Sequence, residues 1–262
     1  MTAPPRVSVV IPVYNRASLI ERAIRSVEGQ TVRGWEVVIV DDGSTDDTPE
    51  RLTARSSERI RLSRQANAGQ GAARNRAIRD ARADVIAFLD SDDEWLPDKL
   101  ERQLSILDTK PAVGLVFGDA EIHSPGSPPT RLSTAARPTR GHVTEALLRE
   151  NFIATSTVVV RRALVEQAGG FDEGAFFRNV EDYDLWLKVS SLTEFDFVSE
   201  TVTRYHRHGE NSSRDAQHTL RQLSGLYARY ARKSAPGARV ATLAAWRSLR
   251  SAASLCLSMV RR

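Results

Sequence analysis

An apolar run, Val85-Ile86-Ala87-Phe88-Leu89, stops abruptly at Asp90-Ser91-Asp92-Asp93, three carboxylates within four positions. The run suits a buried strand, but several unpaired carboxylates are too costly to bury along with it. They are expected to emerge at the end of the strand and to meet a cation there. Hard oxygen ligands at this spacing suit Mg²⁺ or Mn²⁺, ions that commonly share their shell with substrate phosphates. The plain alternative is that Asp92 or Asp93 caps a helix beginning around Trp95-Leu96-Pro97-Asp98.

Three further runs have the same character: Val7 to Val13, Trp35 to Val40 and Val113 to Phe117. None alternates polar with apolar residues, so each reads as a strand covered on both faces, as in a parallel sheet. Between them, Ser18 to Gln30 places Leu19, Ala23, Ile24 and Val27 on one helical face, with Ser18 and Glu21 in a capping-box pattern. Gln70 to Arg82 groups Ala73, Ala77, Ile78 and Ala81 in the same way. The alternation predicts an α/β fold with a doubly wound, mostly parallel sheet and a ligand crevice at the strands' carboxyl ends. Further on, Ser156 to Val160 and Glu200 to Tyr205 read as strands, and Ala163 to Ala168 and Asp182 to Val189 as helices. His123 to Gly141 holds four prolines and reads as a long, mobile loop.

Each of the first three strands is followed by a polar cluster: Pro12-Val13-Tyr14-Asn15, then Asp41-Asp42-Gly43-Ser44, then Asp90 to Asp93. All three are expected to open into one crevice. There Asp42 could accept a hydrogen bond from a base N–H and Tyr14 could stack on a ring. The Asp41 cluster also reads as a simple turn and N-cap. No G-x-G-x-x-G follows the first strand, which argues against a dehydrogenase. Arg74, early in the second helix, could face an anion or a base carbonyl, or be one of many surface arginines. At Glu181-Asp182, a carboxylate at a helix start can stay ionised as a general base, or serve only as an N-cap. His208 follows a strand and either completes a cation's shell or is a surface histidine.

Size and charge bound the rest. The chain has 262 residues, enough for one large α/β domain or two small ones. Its single cysteine, Cys256, excludes a disulfide framework and a Cys-rich zinc site. Met1 to Pro5 lacks the basic start of a secretory signal, and no stretch approaches the roughly 20 apolar residues of a membrane-spanning helix. The expected location is cytoplasmic, or peripheral to a membrane. Residues 214–262 hold ten Lys/Arg against Asp215 alone, whereas the remainder carries 27 basic and 32 acidic side chains. That distribution fits a catalytic body with a basic appendage and not a nucleic-acid-binding domain.

Six segments, in this order, resemble the motifs of inverting family 2 glycosyltransferases with a GT-A fold: VSVVIPVYNR (7–16), EVVIVDDGSTDDT (36–48), NAGQGAARNRAI (67–78), DVIAFLDSDDEWLPDKL (84–100), GGFDE (169–173) and EDYDLWLKV (181–189). The resemblance implies that Pro12, Tyr14 and Asn15 surround the nucleotide base. Asp42 would recognise that base with Asp41 in support, and Arg74 would contact the nucleotide. Asp90-Ser91-Asp92 matches the D-x-D motif, with Asp92 as the metal ligand and Asp90 and Ser91 on the nucleotide side. Asp182 matches the catalytic base, Glu181 its acidic neighbour on the acceptor side, and His208 a histidine near the metal and diphosphate.

The implied reaction moves a sugar, with inversion, from a nucleoside diphosphate sugar (UDP-linked by expectation) to an acceptor hydroxyl. Mn²⁺ or Mg²⁺ is the implied cofactor, and a glycan or lipid-linked molecule in cell-surface polysaccharide synthesis the implied acceptor. Residues 1–120 would form the nucleotide-sugar half of one domain, 121–213 its acceptor half, and 214–262 a basic helical tail. Within that tail, 239–262 would either pack on the domain or lie on an anionic membrane surface. A nucleotidyltransferase would ordinarily carry a Gly-rich basic loop after the first strand, which Val13-Tyr14-Asn15-Arg16 is not. A binding module that had lost catalysis would be expected to lack Asp90, Asp92 or Asp182, and all three are present.

Overall fold

The computed structural model describes residues 4–207, 216–232, 242–243 and 245–247. In its first part, strands β1 (Val7–Val13), β2 (Trp35–Asp41), β3 (Ile60–Arg64) and β4 (Val85–Phe88) alternate with helices α1 (Ile20–Glu28), α2 (Thr48–Thr53) and α3 (Gln70–Asp80). There follow β5 (Glu94–Trp95), α4 (Lys99–Thr109), β6 (Val113–His123), β7 (Thr130–Arg131), α5 (Leu132–Ala135) and α6 (Thr144–Arg149). The last elements are β8 (Val159–Arg161), α7 (Arg162–Gln167), α8 (Glu181–Ser190), β9 (Glu194–His206) and α9 (Ala216–Arg232).

One sheet runs in the order β3-β2-β1-β4-β8-β6-β9-β5, with β7 paired to β6. The strands β3, β2, β1 and β4 are mutually parallel, as are β6 and β9, while β8 runs against both of its neighbours. The continuous apolar runs have their physical reason in two cores, one on each face. From β1, Val7, Val9, Ile11 and Val13 join Ile20, Ile24 and Val27 of α1 and Leu100, Leu104 and Leu107 of α4. Val10 turns the other way, with Phe88, to meet Ala73, Ala77 and Ile78 of α3 and Tyr183 and Trp186 of α8. A strand covered on both sides leaves no face for polar alternation.

The register aligns the strand ends: Val13 pairs with Asp41 and Val10 with Phe88, so the residues that follow all three strands lie along one edge. A second contact brings in the later part of the chain. The rings of Phe88 and Phe171 meet edge to face at 5.3 Å, and Phe171 also packs on Trp186. The backbone there is so close that a Cβ on Gly71 would lie 2.9 Å from the Asp172 carbonyl oxygen. This packing delivers the segment before α8 to the same edge.

Several local expectations are corrected. Ser18 and Glu21 do not form a capping box: Leu19 occupies the N-cap of α1 without a side-chain bond, and Glu21 pairs with Arg25 and Arg55. Neither Asp92 nor Asp93 caps a helix, because Trp95 lies in β5 and donates its indole N–H to the Ser156 carbonyl at 2.7 Å. The helix starts later, at Lys99, with Asp98 before it. The stretch after His123 is not a free loop, since β7 and α5 lie within it and are bound to β6. Of the basic tail, Leu243 packs against the core, and Arg247 lies over the Tyr227 ring and donates to its hydroxyl at 3.2 Å. Most of 239–262 is outside the described residues.

Candidate functional site

The three polar clusters do share one cavity. Pro12 and Tyr14 after β1, Asp42 after β2, and Asp90, Ser91 and Asp92 after β4 line a space of ≈ 370 Å³. Tyr14 is 43% exposed, unusual for a large ring and available for stacking. Asn15 does not line the cavity; it takes a φ of 51°, a left-handed value that Asn tolerates. Its backbone N–H donates to Ser44 Oγ at 2.9 Å and its Oδ1 accepts the Thr45 N–H at 2.8 Å, which ties together the loops after β1 and β2. Asp41 lies beneath them, accepting the Ser44 N–H and pairing with Arg64 at 3.2 Å.

Asp42 is held with particular care. Its carboxylate accepts the Gln65 side-chain amide at 2.8 Å and the backbone N–H groups of Ala68 and Gly69 at 2.9 and 2.8 Å. Gly69 has a φ of 93°, which a side chain would disfavour, and this turn is what presents both amides to Asp42. Three donors fix the carboxylate in place, and Asp42 stands at the cavity wall as an acceptor.

A second cavity of ≈ 300 Å³ adjoins the first, and Gln70, Asp90, Asn179 and Tyr205 line both. Its wall carries Asp182, in the first turn of α8. Asp182 Oδ2 accepts the Thr155 hydroxyl at 2.8 Å, which fixes the carboxylate in the cavity. Glu181, beside it, lines the same cavity but is buried and bonded to Arg74. Burial pushes its carboxyl up to about 8; the Arg74 guanidinium opposes the shift and the Asp182 charge adds to it.

Arg74 is enclosed among these carboxylates. It does not line the first cavity; its guanidinium donates to Asp90 at 2.6 Å, to Glu181 at 2.9 Å and to Gln70 at 3.0 Å. At 2% side-chain exposure it lines the second cavity and links Asp90 and Gln70, which line both cavities, to Glu181.

Asp93 is buried, accepting the Ser156 hydroxyl at 2.5 Å and the His206 N–H at 3.3 Å. Burial first, then the charges of Asp90 and Asp92, hold its carboxyl well above the usual range. Asp90 is raised as well, by burial and by Asp92, against the pull of Arg74. This crowding of negative charge at one wall is what a divalent cation would relieve, so the residues present fit such an ion. Among the described residues no group of three or more His, Cys, Asp or Glu side chains is arranged to hold a metal by itself. His208 lies outside the described residues.

Several wall residues escaped the sequence reading, Arg178, Asn179 and Tyr205 among them. Arg178 and Asn179 reach the first cavity from the turn before α8, and Tyr205 from the end of β9. Arg178 stands directly over Gly69, where a Cβ would lie 3.1 Å from its Nε. The only signal was their closeness in sequence to Glu181 and to His208. Thr155, which orients Asp182, had no signal at all, because its neighbours pair across the sheet from a distant segment.

Comparison with known proteins gives the family and the fold. Residues 8–168 match the model of the family described as glycosyl transferase family 2. The UDP-Glc:alpha-D-GlcNAc-diphosphoundecaprenol beta-1,3-glucosyltransferase WfgD of Escherichia coli is 35% identical over 184 residues, covering 70% of this chain and 69% of its own. The fold is similar to that of Staphylococcus aureus TarS 1-349 in complex with UDP-GlcNAc, at a TM-score of 0.71 and 20% identity over 92% of this chain and 71% of that one. It is also similar to the mannosyltransferase PcManGT of Pyrobaculum calidifontis in complex with GDP-Man and Mn²⁺, at a TM-score of 0.66 and 21% identity over 99% of this chain and 76% of that one.

Proposed function

The chain belongs to glycosyl transferase family 2 and has the GT-A fold, and from that premise we propose that it transfers a sugar from a UDP-linked donor to a lipid-linked glycan acceptor, inverting the anomeric centre. The observation that carries the reading is the pair of adjoining cavities that meet at Asp90, with Asp42 on one side and Asp182 on the other. The first would take the nucleotide: Tyr14 stacks on the base, Asp42 accepts a base N–H, and Asp90 and Ser91 face the ribose and diphosphate. Arg178 supplies a cation to the same side. Arg74 acts as a positioning residue, bridging Asp90 and Glu181.

Asp92 would hold a Mn²⁺ or Mg²⁺ ion, with the diphosphate oxygens and His208 as further ligands. When bound, such an ion offsets the charge that develops on the leaving diphosphate. Asp182 accepts the proton of the acceptor hydroxyl as that oxygen attacks the anomeric carbon from the face opposite the diphosphate. The attack turns an α-linked donor into a β-linked product. A positioned base contributes roughly 10²–10⁴-fold, leaving donor orientation and electrostatics to supply the rest. Glu181, kept protonated by burial near neutral pH, adds no second negative charge beside Asp182.

For the acceptor, the E. coli relative's name points to a sugar linked through a diphosphate to a polyprenol. Arg207, exposed at the wall of the second cavity, offers a cation to such a phosphate. A lipid-linked acceptor would bring the enzyme to a membrane surface, and the basic surplus of 214–262 would hold it there; no helix among the described residues is long and apolar enough to cross a membrane. The test is a panel of UDP- and GDP-sugars offered with Mn²⁺, Mg²⁺ or EDTA and a GlcNAc-diphospho-alkyl acceptor, with product linkage read by NMR. Transfer from a UDP-sugar to give a β-linkage is expected, and an α-linked product would overturn the assigned geometry.

A further inference from the structure

We infer that Leu132 is an acceptor-selecting residue, placed in the wall of the second cavity by the buried carboxylate of Asp119. The inference rests on reading that cavity as the acceptor side. Asp119, 1% exposed on β6, gathers three donors from the proline-rich stretch that follows: Arg131 Nε at 2.6 Å, the Ser133 N–H at 2.9 Å and the Ser133 hydroxyl at 2.6 Å. Bonds to a buried charge are the stronger kind, and losing them would leave that charge unsatisfied. Arg131 also donates to the Ser199 carbonyl on β9, Thr130 and Arg131 pair with β6, and Ala136 enters the core.

Between the bonded residues Arg131 and Ser133 stands Leu132, half-buried and lining the cavity. With Ala120, Ile122 and Ala154 it makes an apolar wall in a space that also contains Asp182, Gln70 and Asn179. Pockets of this composition orient a ligand through a few polar groups while its apolar surface rests on the wall. A pyranose has that division, with C–H groups on one face and hydroxyls around the rim. The ring of the acceptor sugar therefore lies with its C–H face on Leu132 and Ile122, which leaves a rim hydroxyl for Asp182. Because the stretch 124–141 is tethered through side chains of its own, changes at Leu132 alter acceptor choice without rebuilding the nucleotide side.

The experiment uses the full chain with Leu132→Asp, Leu132→Met and Asp119→Asn, a UDP-sugar donor and a GlcNAc-diphospho-alkyl acceptor. UDP affinity by calorimetry reports whether each variant is folded. Expected for Leu132→Asp is an acceptor KM raised about tenfold or more, with kcat at saturating acceptor changed by less than about threefold. Asp119→Asn should move KM in the same direction, and Leu132→Met should stay near the wild-type value. An unchanged KM in both Leu132→Asp and Asp119→Asn, with UDP affinity retained, would overturn the assignment of Leu132 alone. A wild-type protein that binds UDP yet transfers to no carbohydrate acceptor would instead overturn the acceptor reading, and this wall with it.

Discussion

Arg74 Nη1 lies 2.9 Å from Glu181 Oε1, a contact between residues 107 positions apart that joins the helix after β3 to the helix bearing Asp182. The same guanidinium reaches Asp90 at 2.6 Å, so one buried cation stands between the carboxylate at the nucleotide side and the one beside the base. Two carboxylates share that single partner, with Asp182 close by. The arrangement has an excess of negative charge, and Glu181 is the member that burial keeps protonated.

Glu181 should therefore make stability depend on pH. Its carboxyl is raised from an ordinary 4.5 to about 8 in the folded chain. Between those values the unfolded chain releases a proton that the folded chain keeps, so folding is favoured most below 4.5 and the advantage is lost as pH rises through about 8. Urea midpoints of wild type are expected to fall across that window relative to Glu181→Gln, which cannot titrate. Parallel profiles for the two proteins would refute it.

Asp92 should govern metal-dependent nucleotide binding. Without a cation, the carboxylates after β4 repel a diphosphate, so UDP should bind about tenfold or more tightly with Mn²⁺ than with EDTA. Asp92→Ala should abolish that enhancement while leaving the thermal midpoint near wild type, since the side chain faces the cavity. Calorimetry that finds equal affinities with and without metal in the wild type would remove Asp92 from this role.

Asp182→Asn keeps the shape of the side chain and an oxygen to accept the Thr155 hydroxyl, but it cannot take a proton. Donor binding should persist while transfer falls by about 10²-fold or more, the usual scale for loss of a general base. Near-normal turnover with a competent acceptor would move the base to another group.

Deleting 237–262 removes the contacts of Leu243 with the core and of Arg247 with Tyr227. Those contacts are worth about 1–2 kcal/mol, so the thermal midpoint should drop by roughly 2–6 °C. Flotation with anionic liposomes at low salt should favour the full chain over 1–236. Equal flotation would leave the tail a packing element and no more.

The sequence by itself determined the elements whose cause is local. Runs such as Val7 to Val13 have no polar alternation because both faces of the strand are covered, and that rule is readable without coordinates. Once three such strands were parallel, the residues after them had to share an edge, and so Tyr14, Asp42 and Asp92 were legible as neighbours. What the sequence could not supply was any contact set by distant packing. Nothing in the residues near Arg74 marks it as buried between Asp90 and Glu181, nor is there a local pattern that makes Thr155 the partner of Asp182. Arg178 meets Gly69, and Asp119 fastens the stretch that its prolines marked as loose, only after the sheet has closed. Hydrogen bonds and ion pairs of this kind have no period and no fixed spacing. They depend on which side chains the folded backbone leaves within about 3 Å of one another, and tertiary structure alone decides that.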